Sequence, residues 1–104
     1  MTIQKYPLLL QYRQTVDMPK GARILDVQFE VRDEKNAFVM WALVDPEADA
    51  APCKIVILRT GNHTTKEHAA ALAHRGTLQD PEDGTVFHVF EELVVVHMNI
   101  MEAA

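Results

Sequence analysis

The chain has 104 residues and 48% hydrophobic side chains, which predicts a single domain over residues 1–104 with a core of its own. Its net charge of −5 argues against nucleic acid as a partner, because sequence-independent phosphate binding needs clustered cations. No apolar run approaches the ~18 residues that span a bilayer, and three adjacent leucines are too few for a signal peptide. We therefore expect a cytoplasmic protein that does not bind membranes.

The first third of the chain predicts two strands joined by a turn. Residues 8–16 suggest the first strand, and Asp17–Gly21 contains the Pro and Gly of a tight turn. Ala22–Arg32 alternates apolar with polar side chains, as a half-buried strand of an antiparallel sheet does. The predicted apolar face of this strand consists of Leu25, Val27, Phe29 and Val31.

The middle of the chain predicts two more strands. A polar turn over residues 33–36 leads into Phe38–Val44, which is apolar on both faces and therefore predicts a central strand. Asp45–Pro52 has two prolines and three acids, which favours an exposed loop, and Cys53–Thr60 follows as the fourth strand.

The last part of the chain predicts one helix and a closing strand. Thr64 and Glu67 have the spacing of a capping box before an alanine-rich run, which predicts a helix of two to three turns ending near Gly76. A short strand over residues 75–79 and a loop over 80–84 precede a closing strand over 85–98. The sum predicts a mainly β fold with one short helix (α+β), an antiparallel meander that forms a small sandwich or open barrel.

The C-terminal segment, residues 93–104, carries an unusually apolar strand with little chain left to cover it. An uncovered apolar strand is a hazard that proteins usually hide in an interface. We therefore expect a homo-oligomer, with Val94, Val96 and Met98 in its interface. Packing of this strand inside the core of its own chain is the alternative.

The stretch Arg59–His63 resembles a binding site more than any other part of the chain. A strand ends there, Gly61 allows unusual backbone angles, and backbone N–H groups of the following helix favour an anion, to which Arg59 adds a charge. The candidate binding residues are Arg59, Thr60, Gly61, Asn62, His63 and, as a stacking platform, Trp41. A strand-to-helix turn that satisfies its own backbone, and a Trp41 that packs in the core, are the simpler readings.

The histidines and the single cysteine give no catalytic or metal signature. His63, His68 and His74 are spaced by five and six residues, so no pair stacks on one helix face as in H-E-x-x-H. Cys53 follows a proline without a nucleophile motif, and a lone cysteine is usually a small buried apolar side chain. We therefore expect no metal, no cofactor and no enzymatic activity.

Several segments, taken in order, resemble a family of small uncharacterised proteins encoded by tailed phages and prophages. These segments are Gln14–Ala22, Trp41–Asp45, Thr60–His63, Arg75–Thr77 and Val86–Glu91, of which the last, with Phe-His-Val-Phe-Glu, is the most specific. The resemblance covers roughly residues 8–92, and the family's Thr-Gly-His is interrupted here by Asn62. It implies a phage setting and assigns no activity.

The resemblance and the absent catalytic spacing lead to one main hypothesis and two alternatives. The main hypothesis is a non-enzymatic phage accessory protein that inhibits a host defence component by binding a host protein in the host cytoplasm, with loop 45–52 and the turn 59–65 as contact candidates. A virion structural or assembly protein is the first alternative. A sponge for a small ligand such as a nucleotide signal is the second.

Overall fold

The computed structural model describes residues 1–32 and 35–93, which form two antiparallel sheets and one short helix. The elements are β1 (Thr2–Leu8), β2 (Arg13–Pro19), β3 (Arg23–Arg32), β4 (Lys35–Val44), β5 (Ala50–Arg59), α1 (Lys66–Ala70), β6 (Leu72–Gln79) and β7 (Val86–Glu92). The three-stranded sheet has the order β1-β4-β3, and the four-stranded sheet has the order β2-β5-β7-β6. The predicted mainly β fold with one short helix is confirmed, and its two sheets do not close into a barrel.

The core lies between the two sheets. Alternate residues of β4 from Phe38 to Val44 join it from one side, and Ile55 and Val89 join it from the other. Met40, Ile55 and Val89 are fully buried, as period-two patterns on facing sheets require. The prediction that Phe38–Val44 is a central strand is confirmed, since β4 pairs with β1 on one edge and with β3 on the other.

Strand β2 continues through Pro19, so the turn predicted from Asp17 begins only at Lys20. Tyr12 C=O accepts a hydrogen bond from Ile57 N–H (2.9 Å), and Lys20 N–H donates to Asp49 C=O (2.7 Å). Because hydrogen-bonded positions alternate in an antiparallel pair, the even-numbered residues of β2 bond to β5 and the odd-numbered ones direct their backbone groups away from it. Pro19 is odd-numbered, so its missing N–H removes no bond of the ladder.

The first strand predicted over residues 8–16 is wrong, because the chain bends between β1 and β2. Residues 9–12 carry the chain from one sheet to the other. The side chain of Gln14 holds this bend, accepting a hydrogen bond from Leu9 N–H (2.9 Å) and donating one to Leu9 C=O (2.7 Å). Strand β1 escaped prediction because nearly all of its residues are exposed.

The alternation predicted for the third strand is interrupted at Leu25. The pairing of β3 with β4 shifts register between Ile24 and Asp26, which leaves Leu25 in a β-bulge with 43% of its surface exposed. Val27 is buried and Phe29 is half-buried against the core, as predicted. The side chain of Val31 lies outside the described residues.

Two loop boundaries also differ from the prediction. Strand β5 begins at Ala50, so the loop predicted over 45–52 ends at Asp49. Pro52 fits within β5 because the pairing of β5 with β7 starts only at Lys54. The closing strand β7 spans Val86–Glu92, and residues 94–98 of the predicted strand lie outside the described residues.

The helix α1 is shorter than predicted and belongs to a crossover connection. Strands β5 and β6 both run antiparallel to β7, so they are parallel to each other, and the chain between them must pass over β7. The N-cap is Thr65 and not Thr64, because the Thr65 hydroxyl accepts the His68 N–H (3.0 Å). The helix ends after one turn because residues 72–79 pair with β7, which overrides the helix propensity of the alanines.

Strands β3 and β6 approach closely where the two sheets meet. A Cβ atom at position 76 would lie 3.2 Å from Cβ of Val27, a distance at which one of the two must shift. Gly76 therefore permits this close contact between β3 and β6. It does not end a helix, although its place in the sequence had suggested that it would.

Candidate functional site

A cleft of about 240 Å³ opens at the end of the sandwich where β5 finishes and the bend between β1 and β2 passes. We name it the Arg59 cleft. Its lining residues are Leu10, Gln11, Tyr12, Ile57, Arg59, Asn62 and Phe87. The structure thus brings two of the predicted site residues, Arg59 and Asn62, to one place.

The guanidinium of Arg59 is the only cationic group that lines this cleft in the described part of the chain. Its central carbon lies 5.8 Å from the centroid of the Phe87 ring, a cation–π distance. No carboxylate among residues 1–32 and 35–93 lies within ion-pair distance of it. Asp83 stands nearby: hydrogen bonds from Thr85 mainly lower the pKa of its carboxyl, and the Arg59 charge adds a smaller effect. Arg59 is thus positioned to meet a negative charge from another molecule.

The turn after β5 fixes the position of Arg59. Asn62 Oδ1 accepts a hydrogen bond from Arg59 N–H (2.8 Å), and Asn62 N–H donates to Arg59 C=O (3.0 Å). Gly61 adopts a positive φ of 95°, which a side chain there would strain. The side-chain carbonyl of Asn62 is therefore used within the turn. For Asn62 this agrees with the simpler interpretation, a strand-to-helix turn that satisfies its own backbone.

An apolar rim stands on the bend beside the cleft, and two of its residues, Leu10 and Tyr12, line the cleft. Leu9, Leu10 and Tyr12 have 60%, 61% and 49% of their surfaces exposed, values high enough to leave all three available to a partner. The bend that carries them is held by the Gln14 side chain, so they are displayed on an ordered backbone. Sequence reasoning missed this rim because Leu8–Leu10 with Tyr12 also fits a buried strand.

Thr60 and His63 do not join the cleft. The Thr60 hydroxyl lies 2.7 Å from Nε2 of His88, on the outer face of the four-stranded sheet. Thr77 Oγ1 in turn lies 3.1 Å from Nδ1 of His88 and 2.8 Å from Nε2 of His74. These four side chains form a continuous polar chain from the turn after β5 across β7 to β6, whereas His63 is exposed in the loop before α1.

Trp41 lies on the three-stranded sheet, far from Arg59 in the topology. It pairs across β4 with Lys5 and Asp26 on the face directed away from the core, and it is half-buried there. Neither predicted reading fits: the ring does not belong to the core cluster, and it does not line the Arg59 cleft.

The opposite end of the core contains Cys53, Glu91 and Arg75. Both Nε and Nη2 of Arg75 donate to Glu91 Oε1, at 3.1 and 2.9 Å. Burial first, and then the Glu91 charge, raise the pKa of the Cys53 thiol to about 12. A thiol so rarely ionised is a poor nucleophile, and Cys53 belongs to the buried core cluster.

Among residues 1–32 and 35–93, no three His, Cys, Asp or Glu side chains converge as a metal ion would require. No helix there is long and apolar enough to cross a bilayer. The predicted interface residues Val94, Val96 and Met98 lie outside the described part of the chain.

Comparison with known proteins gives one match. The model of a domain family of unknown function, DUF7352, matches residues 1–97. No curated protein and no solved structure matches the chain. Because the match covers nearly the whole sequence, this β-sandwich chain with its Arg59 cleft belongs to the DUF7352 family.

Proposed function

We propose that the chain is a non-catalytic phage or prophage accessory protein that inhibits a host defence component by binding a host protein. The observation that supports it is the Arg59 cleft, in which a cation without an ion-pair partner among the described residues lies beside exposed leucine and tyrosine side chains. Arginine, tyrosine and large apolar groups around a pocket are what protein interfaces use as anchors.

The size and charge of the cleft favour a protein partner over a small ligand. Small-molecule sites usually enclose ~300–1,000 Å³, whereas this cleft holds about 240 Å³, enough for one or two side chains. A nucleotide signal would also need more cations than Arg59, and Arg75 is bound to Glu91 at the other end of the core. The small-ligand sponge is therefore less well supported than the inhibition of a host protein by binding.

The chemistry of the cleft defines the segment that it would bind. The Arg59 guanidinium would pair with a carboxylate, and the rim of Leu9, Leu10 and Tyr12 would cover an adjacent large apolar side chain. An acidic residue next to a leucine or an aromatic residue on the host protein meets both requirements.

Plating of phages on host strains that carry different defence systems tests the proposal. Expression of the chain should restore plating in at least one strain, and Leu10→Ser and Arg59→Gln should each abolish the effect. Leu25→Ser is the matched control, since Leu25 is also an exposed leucine but lies in the β3 bulge. A host protein captured by the wild type should be lost with the same two variants.

Two outcomes would contradict this proposal. One is that no strain regains plating and no captured protein depends on Leu10 or Arg59. The other is that the chain is found in purified virions, which would favour the assembly role instead.

A further inference from the structure

Strand β2 is an edge strand whose outward backbone groups have no partner in the described part of the chain. The even-numbered residues bond to β5, so the N–H and C=O groups of Arg13, Thr15 and Asp17 point out of the sheet. All three residues are exposed, and Pro19 interrupts the outward row only at its end. Such a row is a template for another strand.

The side chains of this edge are complementary to their own copy. If two β2 strands pair antiparallel about Thr15, then Thr15 faces Thr15, and Arg13 of each strand faces Asp17 of the other. Cross-strand Thr–Thr pairs and opposite-charge pairs are favourable arrangements on a sheet. The register places the Thr15–Thr15 and Arg13–Asp17 pairs on hydrogen-bonded positions. At such positions the two residues of a pair exchange two backbone hydrogen bonds.

The other edges fit a second copy less well. Pairing β1 with itself about Lys5 would oppose two like charges, and Pro7 removes a donor near the end of that strand. Strands β3 and β6 face each other across the close contact of Val27 with Gly76. Charge complementarity therefore selects β2.

We propose that two copies of the chain pair through β2, with a two-fold axis at Thr15, to form one continuous sheet of eight strands. The sheet has the order β6-β7-β5-β2 in one protomer, continued in reverse order by its partner. Arg13 retains its bond to Glu92 (2.6 Å) in this dimer, because a guanidinium has five N–H donors and can reach Asp17 of the partner as well. The three residues that carry this pairing, Arg13, Thr15 and Asp17, do not line the Arg59 cleft.

Symmetric cross-linking tests the pairing directly. In the proposed dimer the two position-15 Cα atoms lie about 5.5 Å apart, within the ~4.4–6.8 Å that a disulfide spans. Thr15→Cys should therefore give a covalent dimer on mild oxidation, with twice the 11.8 kDa mass of the chain. The native Cys53 should not interfere, because it is buried.

Lys54→Cys is the matched control for cross-linking. Lys54 pairs with Thr15 on the neighbouring strand and is exposed, as Thr15 is. In the dimer the two position-54 sites lie roughly 14 Å apart, three strand spacings, which no disulfide bridges. Equal cross-linking of both variants would overturn the proposal, because it would indicate random collision.

Charge reversal supplies a second test that leaves the cysteines unchanged. Asp17→Arg places two arginines opposite each other twice in the dimer, so light scattering should show a shift from dimer to monomer. Glu82→Arg makes the same change of charge in the turn between β6 and β7 and should leave the dimer intact. A monomeric wild type, or an Asp17→Arg variant that dimerises as well as the wild type while folded by circular dichroism, would refute the β2 interface.

Discussion

The two long sides of the sandwich are built differently. On one side β3 of the first sheet packs against β6 of the second, with Gly76 so close to Val27 that an added carbon atom would force a shift. On the other side, no strand among residues 1–32 and 35–93 pairs with the outer edges of β1 and β2, which are joined by the bend at residues 9–12. In this part of the chain one side is closed by packing and the other is open.

This difference separates stability from recognition. Exclusion of water and close packing on the closed side stabilise the folded state, so substitutions there should affect folding. The open side carries the exposed leucines, Tyr12, the Arg59 cleft and the β2 edge, so changes there should affect binding or assembly more than folding. Three substitutions test that division.

The largest effect is expected for Gly76→Val on the closed side. Three added carbon atoms would overlap Val27, and overpacking of this kind costs about 1–3 kcal/mol, so the free energy of unfolding should fall by roughly 2–3 kcal/mol in urea titration. Gly76→Ala is the graded control, since its single added carbon would meet Cβ of Val27 at 3.2 Å, a contact that a small shift relieves, so its cost should be smaller. If Gly76→Val unfolds at the wild-type urea concentration, the β3–β6 contact is looser than the structure has it.

A smaller effect is expected for Gln14→Leu on the open side. The substitution removes both hydrogen bonds to Leu9, each with a net contribution of about 0.5–1.5 kcal/mol, less here because the groups are exposed to water. We expect a loss of about 1 kcal/mol in unfolding free energy, together with faster amide hydrogen exchange at residues 9–12. Gln28→Leu in β3 is the matched control, since it too removes an exposed side-chain hydrogen bond, from Gln28 Nε2 to Asp26 Oδ2, but one that lies outside the bend. Unchanged exchange at the bend would show that Gln14 does not hold it.

The smallest effect is expected for the ion pair of Arg13 with Glu92. The Arg13 hydrogen bond lowers the pKa of the Glu92 carboxyl below its ordinary 4.5. A carboxyl whose pKa is lower in the folded than in the unfolded state stabilises the folded state at pH values above the unfolded-state pKa. That stabilisation is lost as the pH falls through the folded-state pKa. Glu92→Gln should therefore cost about 0.5 kcal/mol at pH 7 and less near pH 2.

Urea titrations of the wild type and Glu92→Gln at both pH values measure this difference. Glu82→Gln provides the control for an exposed glutamate in a turn. A Glu92→Gln cost that is as large at the acid pH as at pH 7 would assign the effect to packing and not to charge.

The sequence determined the strands with the clearest apolar patterns. The alternation around Val27 specifies a half-buried strand, because a one-residue shift would expose its apolar face to water. The run from Phe38 to Val44 is apolar on both faces and so specifies a central strand. Burial of the lone Cys53 also follows from its residue type.

Tertiary structure decided the rest of the fold. Strand β1 forms because β4 offers it hydrogen bonds, although its own side chains are mostly exposed. The alanines after His68 would favour a longer helix, but residues 72–79 pair with β7, a contact no local pattern records. Leu25 departs from the predicted alternation because the pairing of β3 with β4 places it in a bulge, which no local pattern records either.

The candidate site shows the same limit. The residue types around Arg59 predicted a turn and an anion-binding group, and Arg59 does line a cleft with no ion-pair partner among the described residues. The residues that complete the cleft, Leu10, Tyr12 and Phe87, lie more than twenty-five residues away along the chain. Only the pairing of β2 and β7 with β5 brings them beside Arg59, because contacts between distant residues depend on the register of strands and not on local sequence.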